Sequence, residues 1–302
     1  MGISRYDKND QFIKELTDCV KEEVVKLGKK QEVETLVTVR EASDSQRQQN
    51  NQVAELLDAG CNVLVVNLVD RTDPSAIIEQ AKEKDVPVIF FNREPVKEDL
   101  AQWEKLYYVG GDAKESGRLQ GELAASVIRT QNIDRNEDGK IQYVVLEGEP
   151  GHQDAIIRTE EAVKTLKDKG IQLEKLGYGI ANWNRAQAEN RMLQLIGQHQ
   201  NDIELVLSNN DEMALGGLDA YVKLNRTESS IPVFFGIDGI AEGLQAVAEG
   251  HLAGTVYNDK EAQAQTIAKL AAKLVLEADF PESQQMYSPY QKITKENVAN
   301  YE

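Results

Sequence analysis

A chain of 302 residues, 41% of them hydrophobic, has the length for two domains with ordinary buried cores. Its formal charge of -17 argues against a nucleic-acid backbone or an anionic membrane as the main partner, because both require clustered Lys and Arg. No apolar run approaches the roughly 18 residues that a membrane-spanning helix needs, and the opening ISRYDKND lacks the apolar core of a signal peptide.

In chain order, residues 2–6 predict a short strand, and the apolar spacing of Phe12, Ile13, Leu16, Val20, Val24 and Val25 predicts a helix over 10–26. A strand over 33–41 follows, then a helix capped by Ser45 and a strand over 62–69 buried on both faces. Pro74 opens the next helix, and 86–91 and 106–110 are further strands. The helix over 113–128 carries Gly117 and Gly121, which permit close packing. Cys19 and Cys61 both fall in apolar surroundings, so two buried thiols are expected rather than a disulfide.

Residues 134–142 place Asp134, Asn136 and Asp138 at alternate positions and Gln142 at the ninth, with Gly139 after the third. This is three-quarters of an EF-hand calcium loop. Its twelfth position, where a bidentate Glu belongs, is Val145, inside a strand over 141–146. Beyond it the βα pattern restarts. Strands over 172–177, 204–207, 232–237 and 254–256 alternate with helices over 153–167, 186–196, 213–224, 241–248 and 262–276, and a strand near 287–292 and a helix from 295 close the chain. The expected fold class is α/β, with two doubly wound parallel sheets joined near Gly110-Gly111 through several crossings of the chain.

In open parallel sheets a ligand binds beyond the carboxyl ends of the strands. There the sequence places Asp10 and Phe12, Asn92, His152, Asp154, Arg158, Trp183, Asn210 with Asp211, Asp238 and Asn258. Carboxylates and amides pair well with hydroxyls, which both donate and accept, and flat rings suit the C–H faces of a pyranose. A phosphate would call for several Lys or Arg or a glycine-rich turn, and neither stands at these strand ends. Taken singly, Asp10, Asp154, Asn210 and Asp238 read as helix caps, Trp183 as a wedge, His152 as a satisfied loop residue and Arg158 as a solvated ion pair. Their recurrence at one strand end after another favours a pocket for an uncharged, hydroxyl-rich ligand.

The segments GEPGHQDAIIRT, DRNEDGKIQ, NWN, SNNDEMALGG, FFGIDGI, AGTVYND and PYQKIT together resemble the galactose/glucose-binding proteins, the sugar-capturing subunits of ABC transporters. The resemblance covers essentially the whole chain. It implies a non-catalytic type I periplasmic binding protein with a three-segment hinge, closing over D-glucose or D-galactose. One lobe spans 1–109 and 259–286, the other 111–257 and 288–302. It further implies hydroxyl contacts from Asp10, Asn92, His152, Asp154, Arg158, Asn210, Asp238 and Asn258, with Phe12 and Trp183 on the ring faces. Structural Ca2+ would be held by Asp134, Asn136, Asp138, the Lys140 carbonyl and Gln142, with Glu204 as the missing distal ligand. The implied protein is an extracytoplasmic monomer that delivers its sugar to ABC transporter membrane subunits, with a chemoreceptor as a further partner. The chain departs from the family in its short first strand, which implies a trimmed or frayed edge, and in Gln153, which stands where Pro is common. Two other classes share these features: a sugar-processing enzyme using Asp154, Asp238 and His152 as acid and base, and the sensor domain of a sugar-responsive repressor. The latter carries an N-terminal helix-turn-helix, whereas here a strand begins at residue 2.

Overall fold

Short apolar runs alternate with amphipathic stretches through most of the chain, and in the computed structural model, which describes residues 1–277 and 280–301, they form strands and helices in turn. The chain divides into two units, Met1–Gly111 with Asp259–Ser288, and Asp112–Asn258 with Pro289–Glu302. Within the lobe ranges expected from sequence, residues 278, 279 and 302 lie outside the described residues.

The first unit runs β1 (Gly2–Arg5), α1 (Gln11–Gln31), β2 (Thr38–Glu41), α2 (Gln46–Asp58), β3 (Leu64–Val66), α3 (Ser75–Glu83), β4 (Val88–Phe91), the single turn α4 (Lys97–Leu100) and β5 (Leu106–Gly111). The second runs α5 (Ala113–Thr130), β6 (Ile141–Glu147), α6 (Gln153–Asp168), β7 (Leu173–Ile180), α7 (Arg185–His199), β8 (Leu205–Ser208), α8 (Asp211–Lys223), β9 (Val233–Phe235), α9 (Ala241–Glu249) and β10 (Thr255–Asn258). The chain then returns to the first unit with α10 (Lys260–Ala272) and β11 (Gln285–Ser288), and finishes in the second with β12 (Tyr290–Ile293).

The first sheet is parallel throughout, ordered β11-β5-β4-β3-β1-β2. The second is parallel in the order β7-β6-β8-β9, and the bridges Phe235–Gly254 and Asp238–Tyr257 bring the β10 segment alongside β9. Each unit thus has the doubly wound order 2-1-3-4-5, which reverses between β1 and β3 in one and between β6 and β8 in the other. Such reversal points open a crevice at the carboxyl ends of the strands. An apolar core around Leu64, Val66, Phe90 and Tyr108 supports the first sheet, and one around Val145, Leu205, Phe235 and Val256 the second.

Several sequence expectations need correction. The strand expected over 33–41 forms only from Thr38, because its partner β1 begins at Gly2 and the register sets Gly2 against Thr38. Val33 and Leu36 are left exposed. The first strand is not frayed: all four residues are buried, and β2 and β3 flank it. The helix expected to end at 26 continues to Gln31, closed by the left-handed Glu32. The last strand is two strands split by Pro289, which has no N–H to give a ladder: β11 pairs in parallel with β5, and β12 runs antiparallel to β10. In place of a terminal helix from 295 there is one 3₁₀ turn, Val298–Asn300. Cys19 and Cys61 are free, as expected, but half-buried rather than buried. Among the described residues no helix is long and apolar enough to cross a membrane.

Candidate functional site

In the second unit the polar residues gather on Arg158. This residue lies one turn into α6 and is only 3% exposed, so it is not the solvated ion pair that its position alone suggests. Its Nη1 donates to the Asn209 carbonyl at 2.7 Å and its Nη2 to the Tyr290 hydroxyl at 3.4 Å. Carboxylates stand on two sides, Asp154 at 3.8 Å and Asp238 at 3.7 Å. Burial works to lower the guanidinium pKa, but Tyr290, Asp238 and Asp154 outweigh it and hold the group above its usual range.

Trp183 stands over this cluster. Its ring centroid is 5.8 Å from the Arg158 Cζ and 5.0 Å from the His152 ring, which meets it edge-on. Two details of sequence allow that placement. Asn182 and Trp183 both adopt left-handed backbone, at φ 49° and 61°, which turns the chain sharply after β7. Gly148 leaves room for the ring, since a Cβ there would lie 2.2 Å from Trp183 Cζ2.

The cap roles weighed for four acidic and amide residues fall differently among them. Asp10 and Asn210 do cap α1 and α8, accepting from Ile13 N and Met213 N. At α6 the cap is His152, whose Nδ1 accepts from Asp154 N, so Asp154 lies in the first turn. Asp238 is not the N-cap of α9, which is Ile240; it lies two residues before it, at φ 115°. Asp238 and Asn258 are tied through their backbones, and Asn210 Nδ2 donates to the Trp183 carbonyl at 3.5 Å.

The first unit carries Asp10, Phe12 and Asn92. The Asp10 Oδ2 accepts the Tyr6 hydroxyl at 2.8 Å, and burial raises the Asp10 carboxyl above its ordinary range against the Ile13 and Tyr6 bonds. Phe12 is 4% exposed. Asn92 is left-handed at φ 61°, and its Oδ1 accepts from Asn67 Nδ2 at 3.1 Å. Sequence reasoning passed over Asn67, Tyr6 and Arg93, whose guanidinium lies 3.8 Å above the Tyr6 ring. Asn67 stands one residue past β3 and Arg93 two past β4, a signal that was available.

Asp211, set down in sequence only as a companion of Asn210, is wholly buried. Burial pushes its carboxyl up to about 7, against the lowering effect of the Thr255 hydroxyl and the Gly239 and Ile240 amides. A carboxyl raised above its unfolded value of about 3.9 binds its proton more tightly in the native state. Its contribution to stability is therefore complete below that value and lost as pH climbs through about 7. Between pH 5 and 8 the melting temperature of the wild type should fall relative to that of Asp211→Asn; parallel pH profiles would refute the assignment.

At the other end of β6 the loop 134–142 folds on its own oxygens. Asp134 accepts from Asp138 N and Gly139 N, Asn136 from Asp138 N, and Asp138 from Lys140 N and Gln142 Nε2. Glu204 is 1% exposed, and its two oxygens take the Arg135 and Gln142 amides. Gln142 Oε1 is buried with no hydrogen-bond partner. Among the described residues no three His, Cys, Asp or Glu side chains are gathered closely enough to hold a metal ion by themselves. The donor chemistry nonetheless fits calcium, which accepts amide and carbonyl oxygens beside carboxylates, and the unpartnered Gln142 oxygen is one of them.

Comparison with known proteins accords with this architecture. A family model described as the periplasmic binding protein domain matches residues 1–278. The D-galactose/methyl-galactoside binding periplasmic protein of Haemophilus influenzae is 35% identical over 310 residues, which span 100% of this chain and 91% of that protein. The ribose import binding protein of Bacillus subtilis is 28% identical over 273 residues, covering 90% and 79% of the two chains. A crystal structure of an ABC transporter solute-binding protein from Bacillus halodurans with bound myo-inositol superposes with a TM-score of 0.82 at 27% identity, over 99% of this chain and 96% of that one. With two sheets of the same doubly wound order and a family match that runs through both units, this chain belongs to the periplasmic binding protein family.

Proposed function

We propose that the protein captures a monosaccharide, D-glucose or D-galactose, outside the cytoplasm and delivers it to ABC transporter membrane subunits without transforming it. The observation that carries this is the Arg158 cluster: one buried guanidinium flanked by two carboxylates, with an indole beside it. Hydroxyls on a ring are matched by such a mixture, each hydrogen bond to a charged group contributing about 1.5–3 kcal/mol. The names of the relatives agree on polyhydroxylated ligands, namely galactose, ribose and inositol. Asp10, Phe12 and Asn92 are the sugar-contact candidates of the first unit, and His152, Asn210 and Asn258 join Asp154, Arg158, Trp183 and Asp238 as those of the second.

The enzyme alternative fares worse on the same geometry. A glycosidase needs one carboxyl kept protonated, whereas a guanidinium beside both Asp154 and Asp238 favours their charged forms. Calcium, held by Asp134, Asn136, Asp138, the Lys140 carbonyl, Gln142 and Glu204, would supply fixed positive charge at the start of β6 and take no part in the sugar contacts.

Calorimetric titration with a panel of monosaccharides tests the proposal. Glucose or galactose should give saturable heats, and Asp154→Ala should abolish them while keeping the far-ultraviolet circular dichroism of the wild type. Wild-type heats from Asp154→Ala, or release of product from aryl glycosides, would overturn it.

A further inference from the structure

Three consecutive residues past β8 reach three parts of the second unit's site. The Asn209 carbonyl holds Arg158, and its side chain links Gly148 N to the Thr159 hydroxyl. Asn210 holds the Trp183 carbonyl. Asp211 turns into the protein, where its Oδ2 accepts the Gly239 and Ile240 amides at 2.7 and 3.1 Å and its Oδ1 accepts the Thr255 hydroxyl at 2.6 Å. Its own N–H donates to the Ile237 carbonyl at 2.8 Å. One residue thus grips the chain on both sides of Asp238.

Asp238 needs that grip. A φ of 115° is a conformation few side chains adopt, and it persists only where the surroundings over-determine it. Glycines admit the carboxylate that does so: a Cβ on Gly236 would lie 2.0 Å from Asp211 Oδ1, and one on Gly243 2.4 Å from Oδ2. The polar groups are all satisfied in this arrangement, so removing the carboxylate would strand two buried amides next to the strained residue.

We propose that Asp211 is a positioning residue for the ligand: it sets the Asp238 carboxylate against Arg158 and so governs how tightly the sugar is held, without touching it. This rests on the monosaccharide function proposed above. Asp211→Ala, Asp211→Asn and, as a control on the same helix, Asp219→Asn are compared by titration with D-glucose and D-galactose and by amide hydrogen exchange. Asp211→Ala should weaken the affinity of the folded protein at least about tenfold and unprotect the Gly239 and Ile240 amides. Asp211→Asn keeps an oxygen toward both amides and an N–H toward Thr255, so it should retain their protection and stay within about threefold of wild type. Asp219 pairs with Arg185 at the surface, and its variant should match the wild type in both readouts. Asp211→Ser, too short to span both contacts, replaces Asp211→Ala if that variant does not fold.

A merely structural role predicts lower stability with unchanged affinity in the folded protein, and that result would overturn the proposal. So would protected Gly239 and Ile240 amides in Asp211→Ala. If the wild type binds neither sugar, the ligand assignment fails by itself, and amide exchange still decides whether Asp211 holds the Asp238 segment.

Discussion

Arg158→Leu is expected to lower folding stability by about 3–5 kcal/mol and to abolish monosaccharide binding, the largest loss among single substitutions in the second unit. The guanidinium is 3% exposed and faces two carboxylates, of which Asp238 is itself 5% exposed. Removing the cation leaves uncompensated negative charge in a poorly hydrated place, and it also strands the Asn209 carbonyl that Nη1 serves. For a protein of this size the loss should lower the melting temperature by on the order of 10 °C. The double variant Arg158→Leu/Asp238→Asn separates the two effects. Neutralising Asp238 should return much of the stability and none of the binding, because the charge mismatch is relieved while the donors remain absent. Arg158→Lys keeps the charge but not the planar fork that reaches Asn209 and Tyr290 together, so it should stay folded and bind weakly. If Arg158→Leu melts with the wild type, the cluster is not the electrostatic centre of this unit.

The cluster explains why part of the site was legible in sequence and part was not. Arg158, Asp154 and His152 lie within seven residues, and helical spacing alone places the first two on one face. Asp238, Asn210 and Asn258 could be found because doubly wound sheets present the residues that follow their strands. Tyr290 could not: it reaches Arg158 from 132 residues away, on a strand that runs against the others. The role of Asp211 was hidden for a similar reason, since an Asp at a helix start looks like a cap wherever its side chain goes. The same limit explains the misread strands. The run 33–41 has good strand composition throughout, but pairing depends on where β1 begins. At 287–292 composition was continuous while the partner changed at Pro289. Local pattern located the elements; long-range partners decided their ends and their uses.

Chelation of divalent ions is expected to lower the melting temperature of the wild type by on the order of 10 °C, and Glu204→Gln to remove that dependence. An ion present at a thousand times its dissociation constant stabilises the state that binds it by about 4.1 kcal/mol, which is 8–16 °C at about 2–4 °C per kcal/mol. Glu204 is the decisive residue because it is 1% exposed and stands between two parts of the chain, its oxygens accepting from Arg135 N and Gln142 N. A glutamine there would turn an N–H toward one of those amides and lose the charge. The variant should therefore be less stable than the wild type without chelator, and unresponsive to it. Calorimetric titration with calcium chloride should give one site in the wild type and none in Glu204→Gln; equal melting of the wild type with and without chelator would rule the ion out. Sugar affinity should barely change in either test. The loop precedes β6 and the His152 turn follows it, so the seven residues of that strand, about 3.3 Å each, keep the two ends roughly 20 Å apart. An ion at one end can hold the strand in place, but it is too far away to contact a sugar at the other.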